Sequence, residues 1–537
     1  MVAINCFTQY AALGLATFGS VSALGRSGLM KFNTHPLPSI GSVETTPTIQ
    51  AYNFSVPIDH FHNDTKYAPH TNDSFNLRYF LDTTHYKPGG PVIVLLSGEG
   101  PAADYLIEFQ TSITSQIAQA TNAMSIILEH RYYGTSFPYA KPSRDQYRFL
   151  TTEQAMADTA YFAQHIKFPG FENANLTSSG TPWFTYGSSY AGAFSAFLRK
   201  IYPDIFWGAI SSAGVTAAVE EYWQYWEAAR LYSPGDCGPT TGKITRVIDN
   251  VLLGGNQTEI LALKKMFGLQ TLNDLDFATV IGGGVSALQL QTTNPNFGGK
   301  KFGTYCSLVN TKEQLFFDTT YLKPAVQRLI RLAGCDDSLT NQMLNYIGYY
   351  QQDLVESLIT PPCLGKTVKQ CLDSTGDTLN GSFALLGSWS YQACTQWGFW
   401  QTGSGYPKNI NPVVSRVISL DSYRDLCRQY WSITTPVDSK AITKYGGFNF
   451  SYPRVAMISG FQDPWRQATP LANGQPPRQS TPSEPILTLN YGVHAWDEFG
   501  DSLDLTIISQ VPPYIADVQR KEAQIIQGWA KEWHDKH

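Results

Sequence analysis

Four apolar, β-prone stretches follow one another early in this chain: Tyr52 to Ile58, Phe75 to Leu81, Pro91 to Leu96 and Ala123 to Leu128. The last two are unbroken apolar runs, the pattern of central parallel strands covered on both faces. A helical pattern fits Thr152 to Ile166, a strand Trp183 to Tyr186, a helix Ala193 to Tyr202 and a strand Trp207 to Ser211. Two more buried-strand patterns stand far downstream, at Arg454 to Gly460 and Pro485 to Asn490. The chain closes on a helical pattern from Pro513 to Trp533, in which Ile515, Val518, Ile525, Ile526, Trp529 and Trp533 form one apolar stripe that should pack on the sheet. This alternation of strands and helices predicts an α/β fold with a mostly parallel sheet.

The chain from about Val215 to Gly447 has another character. Its strongest patterns are helical, at the aromatic-rich Val219 to Arg230, at Glu259 to Met266 and at Asn341 to Leu358. Seven of the eight cysteines (Cys237, Cys306, Cys335, Cys363, Cys371, Cys394 and Cys427) fall inside it. A largely helical, disulfide-stapled insertion that caps the strand ends is the expected arrangement. The chain then divides into residues 1–23, a signal peptide; 24–48, a linker or short pro-segment; 49–214 and 448–537, the two parts of the sheet domain; and 215–447, the cap.

Export is the reading of the N-terminus. Ala11 to Ala23 are mostly small and apolar, with Val21 and Ala23 at the −3 and −1 positions of a cleavage site. The run is shorter than the ~20 apolar residues a membrane span requires, so no membrane anchor is expected. Asn53, Asn63, Asn72, Asn175, Asn256, Asn380 and Asn449 begin N-x-[ST] sequons, a density suited to a glycosylated protein. In an oxidising compartment the seven cysteines would close up to three bridges and leave one thiol unpaired. A secreted protein, or one of a vacuolar or lysosomal lumen, follows. A net charge of −5 gives no basic face for nucleic acid. With 537 residues, 43% of them hydrophobic, a large core and more than one lobe are available.

The chemistry is concentrated where strands end. Trp183 to Tyr186 runs into Gly187-Ser188-Ser189-Tyr190-Ala191-Gly192, a serine among small residues between strand and helix. Such a nucleophile elbow holds the serine in a strained conformation at a helix N-terminus, aimed at the charge that develops in acyl transfer. A serine nucleophile needs a base and an orienting acid, which α/β-hydrolases supply in the order Ser, Asp, His. Asp463 follows the strand at Arg454 to Gly460, and His494 follows the strand at Pro485 to Asn490, so both lie past C-terminal strand ends where open α/β sheets place their sites. The backbone N–H of Tyr190 and one from Gly98, Glu99 or Gly100, in the turn after Leu96, would form the oxyanion hole. His130, after the strand at Ala123 to Leu128, reads as a buried hydrogen-bonded support. His60 and His62 form an H-x-H pair, but no third ligand at metal-binding spacing accompanies them, so no metal and no cofactor is expected. The same triad would also serve a carboxylesterase or lipase. The alternative from another class is a non-catalytic, hydrolase-like binding protein.

These segments together resemble the prolyl serine carboxypeptidase family, which includes lysosomal Pro-X carboxypeptidase, dipeptidyl peptidase II and fungal secreted prolyl endopeptidases. The resemblance runs through Val56-Pro-Ile-Asp-His-Phe61, Glu129-His-Arg-Tyr-Tyr-Gly134, the elbow, Tyr222-Trp-Gln-Tyr225, Trp389-Ser-Tyr-Gln-Ala-Cys-Thr395, Asp463-Pro-Trp465 and His494-Ala-Trp-Asp497. It implies an α/β-hydrolase fold with a helical cap, no cofactor, and cleavage of proline-containing peptides or proteins after proline, commonly at acidic pH. It puts nucleophile, acid and base on Ser189, Asp463 and His494, a proline-pocket wall on Trp465, and a disulfide between Cys394 and Cys427. The elbow departs from the family's usual Gly-Gly-Ser-Tyr-Gly-Gly at Ser188 and Ala191, and Gln396 stands where a Glu is common.

Overall fold

The computed structural model describes residues 49–289, 301–360, 363–372, 383–498 and 511–537. The signal peptide and linker expected in residues 1–48, and the sequon at Asn380, lie outside the described residues. Eight strands form one sheet: β1 (Ala51–Pro57), β2 (Ser74–Asp82), β3 (Val92–Leu96), β4 (Met124–Leu128), β5 (Trp183–Ser188), β6 (Gly208–Ser212), β9 (Val455–Gly460) and β10 (Ile486–Leu489). Their order is β1-β2-β4-β3-β5-β6-β9-β10. β2 pairs antiparallel with both β1 and β4, and all other pairings are parallel. β3, β4, β6 and β9 are buried at every residue, which accounts for their unbroken apolar character.

Helices of eight residues or more cover the sheet and build the insertion. The first three are α1 (Ile113–Thr121), α2 (Thr152–His165) and α3 (Ser189–Ile201). In the insertion stand α4 (Gln224–Tyr232), α5 (Cys237–Leu252), α6 (Gln257–Met266), α7 (Asp274–Ile281), α8 (Lys301–Asn310), α9 (Lys323–Leu332), α10 (Thr340–Leu358), α11 (Phe383–Gln392) and α12 (Leu420–Trp431). The C-terminal α13 (Pro513–Lys536) packs on α1, β10 and β6, and Trp529 lies over Gly208, where a Cβ would come within 2.7 Å of its ring. Its buried stripe is Ile515, Val518, Glu522, Ile526 and Trp529, while Ile525 and Trp533 are only half covered.

One expected helix is shorter than its pattern. Val219–Glu221 is a strand, β7, paired in parallel with β8 (Gly398–Trp400), and α4 starts only at Gln224. The β-prone run around Val219 finds a partner strand from the far end of the insertion, and that long-range pairing overrides the local helical periodicity. Disulfides join Cys237 to Cys306 between α5 and α8, Cys363 to Cys371, and Cys394 to Cys427 between the turn after α11 and α12; Cys335 is a free, half-buried thiol. The six described sequon asparagines, Asn53, Asn63, Asn72, Asn175, Asn256 and Asn449, are exposed. No helix among the described residues is long and apolar enough to cross a membrane.

Candidate active site

The reversal from β5 into α3 dictates its residue types. Ser188 is still extended, at φ −112° and ψ 155°, and Ser189 turns to φ +58°. That left-handed conformation is unusual for a non-glycine residue and is held here by the packed strand and helix on either side. Gly187 and Gly192 have no alternative: a Cβ would meet the Ala191 carbonyl oxygen at 2.2 Å and the Ser212 carbonyl oxygen at 2.4 Å. The two departures from the family elbow fit because neither position needs glycine. Ser188 keeps an ordinary backbone and hydrogen-bonds Glu498. The Ala191 methyl fills the space against Gly98, where an added Cβ would stand 3.1 Å from it.

Asp463 and His494 lie three and five residues beyond the C-terminal ends of β9 and β10, on the strand edge that carries Ser189. His494 Nδ1 is 3.0 Å from both carboxylate oxygens of Asp463. Facing only acceptors, that nitrogen carries the proton and Nε2 keeps the lone pair. Asp463 is itself fixed by the backbone N–H of Trp465, 2.8 Å from Oδ1. Ser189 Oγ and His494 Nε2 are buried and make no hydrogen bond among the described residues. The segment after His494 is tied to the neighbouring strands, because Asp497 accepts from the Tyr186 hydroxyl at 2.8 Å and the Ser212 hydroxyl at 2.6 Å.

The electrostatics around His494 are unusual. Burial pushes its pKa down, but Asp463, and to a lesser degree Glu498 and Glu99, outweigh it and leave the imidazole above its ordinary value. Burial raises Glu99 to about 7 and Glu498 to about 8, and Glu108 stands well above the carboxylate range through burial and the neighbouring Glu498. Near neutrality these acids hold protons that an exposed carboxylate would have lost.

The first candidate oxyanion donor, the N–H of Tyr190, sits on a braced side chain. His130 Nδ1 faces the Arg131 carbonyl oxygen at 2.7 Å and must donate to it, so Nε2 accepts from the Tyr190 hydroxyl at 2.8 Å. Burial lowers His130 to about 4, which keeps it neutral for this role. The Tyr190 oxygen accepts from Gln392 Nε2 at 3.0 Å, and Gln392 Oε1 accepts from the Tyr133 hydroxyl at 2.6 Å. The chain of bonds therefore joins β4, the elbow and α11. Across from it, the Ser97–Gly100 turn is closed by the Gly100 N–H on the Ser97 carbonyl at 3.4 Å, which leaves the N–H groups of Gly98 and Glu99 as candidates for the second donor.

Glu129-His-Arg-Tyr-Tyr-Gly134 is the frame of this arrangement. Glu129 accepts from Ala102 N at 2.9 Å, Thr135 N at 2.9 Å and the Ser136 hydroxyl at 2.7 Å, and pairs with Arg78. Arg131 grips Asp158 at 2.6 Å and donates to the carbonyls of Ile58 and Phe149. Gly134, at φ +54°, leaves no room for a side chain, since a Cβ would lie 1.9 Å from Glu129 Oε1.

Trp465 is buried in an aromatic cluster beside His494, their ring centroids 6.4 Å apart. It stacks on Tyr222 at 5.2 Å, meets Phe399 and Tyr225 edge-on, and donates its indole N–H to Gln289 Oε1 at 2.9 Å. Gln289 also accepts from the Tyr225 hydroxyl at 2.8 Å. Gln396 is buried and accepts from the backbone N–H of Thr152 at 3.1 Å, the first residue of α2. It caps a helix. Gln289 carried no signal in the sequence and Gln392 only that of the Trp389–Thr395 segment, because both act through partners more than 60 residues away. Asp497 and Glu498, which tether the His494 loop, were visible only as neighbours of His494.

A mostly parallel sheet with a strand–serine–helix turn, and with a helical insertion between β6 and β9, is an α/β-hydrolase. Within that class the chain belongs to the serine carboxypeptidase S28 family, which matches residues 57–310 and 335–498, and it is a serine-type peptidase. It is similar to a probable extracellular serine carboxypeptidase of Arthroderma benhamiae, 40% identical over 497 residues that cover 91% of this chain and 69% of the relative. Serine protease vicPb of Bipolaris victoriae is 26% identical, covering 87% of this chain and 89% of its own. Human lysosomal Pro-X carboxypeptidase is 25% identical, covering 97% and 95%.

Proposed function

We propose that this peptidase is exported and hydrolyses peptide bonds on the C-terminal side of proline, through an acyl-enzyme on Ser189. His494 Nε2 takes the serine proton as Oγ attacks the prolyl carbonyl, then gives it to the leaving amine; Asp463 holds the imidazole in the required tautomer. The N–H groups of Tyr190 and of Gly98 or Glu99 stabilise the oxyanion. The observation that carries this reading is the pairing of His494 Nδ1 with both Asp463 oxygens, while Nε2 and Ser189 Oγ stay buried and uncommitted on the same strand edge. The rigid apolar ring of proline suits a wall made by Trp465 and its aromatic neighbours.

The test uses three substrates: a prolyl-nitroanilide, a long-chain acyl ester and a peptide with blocked ends and one internal proline. Turnover of the prolyl amide, labelling of wild-type chain by a fluorophosphonate and loss of both in Ser189→Ala are expected. Preferential turnover of the ester would reassign the activity to a lipase or esterase. Cleavage of the blocked peptide decides for an endopeptidase.

A further inference from the structure

The loop between β1 and β2 brings together three metal-ligating side chains that peptide hydrolysis does not use. Asp59, His62 and His70 each offer one ligand atom, and these atoms lie within 4.8 Å of one another. In the sequence, His62 lacked a third ligand. The fold supplies one from His70, eight residues on, and breaks up the H-x-H pair, because His60 turns to Asp158 at 2.8 Å.

The carboxylate is set in place by groups that do not reach the cluster. Asp59 Oδ1 accepts from the Phe61 N–H at 2.9 Å and from Gln154 Nε2 at 2.8 Å, which leaves Oδ2 toward the imidazoles; His70 Nδ1 is 2.7 Å from it. Gln154 is buried and held in turn by the His60 N–H at 2.9 Å. The loop is braced ahead of His70, where the Arg148 guanidinium donates to the carbonyls of Tyr67 at 3.0 Å and Pro69 at 2.6 Å. The rings of His62 and His70 stand 5.6 Å apart and tilted by 40° at the exposed rim, over the buried Asp59. Outer partners that fix a ligand's orientation are a regular feature of protein metal sites. Two imidazoles and one carboxylate, with further positions open to water, suit borderline ions such as zinc and not calcium or magnesium, which take oxygen donors.

We propose that Asp59, His62 and His70 form a binding site for a divalent transition-metal cation of the zinc class, which clips the loop after β1 to itself. β1 is the edge strand, with β2, β4 and β3 between it and β5, so the site is separate from Ser189.

The experiment titrates zinc chloride into the full chain, free of any histidine tag and stripped with a chelator, at neutral pH. Calorimetry reads binding and thermal unfolding reads stability. One equivalent bound is expected, with a rise in unfolding temperature. His62→Ala and His70→Ala should each weaken binding by about 10-fold or more, while His534→Ala, exposed at the C-terminal end of α13, leaves it unchanged. His62 is exposed, so His62→Ala should unfold near the wild-type temperature without zinc, whereas His70→Ala also strands the buried Asp59 Oδ2 and is read against its own zinc-free baseline. No zinc bound, or binding that both variants retain, overturns the proposal.

Discussion

The sheet and the insertion are held together by different means. β3, β4, β6 and β9 are buried throughout and no cysteine lies in or between them outside the insertion. The insertion carries all three disulfides and most of the exposed large apolar side chains, among them Leu253, Phe317, Tyr321, Leu332, Val355 and Ile359. Apolar burial scales with the area removed from water, and a sheet covered on both faces removes the most. A helical layer that keeps one face free has less to gain and is reinforced by cross-links. The candidate catalytic groups sit on the well-buried part. The insertion reaches them through a few polar contacts: Gln392 to Tyr190, Gln289 to Trp465, and Tyr222 to the Pro464 carbonyl at 2.8 Å. Chemistry and stability should therefore separate on mutation.

The largest effect is expected on the sheet side. Ser189→Ala or His494→Ala should lower kcat by at least ~10³-fold, and Ser189→Ala, whose Oγ makes no hydrogen bond among the described residues, should leave the thermal unfolding temperature near that of the wild type. Retention of normal peptidase activity by either variant would sink the triad. The opposite signature is expected in the insertion. Replacing Cys394 and Cys427 together by alanine opens a link across 33 residues and should cost about 2–4 kcal/mol of stability, read by denaturant unfolding. A double variant as stable as the parent would erase the distinction drawn between the two parts.

Much of the sheet side was legible in the sequence, because its signals are local. Unbroken apolar runs, the small residues of the elbow, and polar residues just past strand ends each follow from the geometry of one element. The insertion was less legible. Val219–Glu221 looks helical by its neighbours and is a strand only because Gly398–Trp400, nearly 180 residues on, pairs with it. Nothing in the sequence states what Gln392, Gln289 and Gln396 touch; their positions under Tyr190, beside Trp465 and at the start of α2 exist only after folding. The His62 cluster fails in the sequence for the same reason, since the fold keeps His62, discards His60 and brings in His70.

A smaller effect concerns pH. Glu498 has a folded pKa raised by burial to about 8, well above that of an exposed glutamate. Between the unfolded and folded values the native state binds more protons than the unfolded chain, so stability falls as pH rises from about 4.5 toward 8. Glu99, raised to about 7, acts in the same direction over a narrower window. Glu498→Gln should flatten part of that decline, by on the order of 1–2 kcal/mol near pH 8. A variant whose unfolding temperature falls with pH as steeply as the wild type's would show that this carboxyl is not protonated in the folded chain.

The finest test of how the two parts cooperate is Gln392→Leu. Its amide joins α11 to the elbow's hydrogen-bond chain, donating to Tyr190 and accepting from Tyr133. Leucine keeps the bulk and leaves two buried hydroxyls short of a partner, at a cost of about 1–3 kcal/mol. If Gln392 served packing alone, that loss would appear in unfolding and nowhere else. Because the Tyr190 hydroxyl is held by His130, release of the Gln392 bond should also loosen the backbone N–H of Tyr190 that is proposed as an oxyanion donor. Such a donor acts in the transition state and not in the ground state. The expected result is a kcat about tenfold lower with KM unchanged; a lower unfolding temperature with kcat intact would assign Gln392 to the stability of the insertion and leave the elbow independent of it.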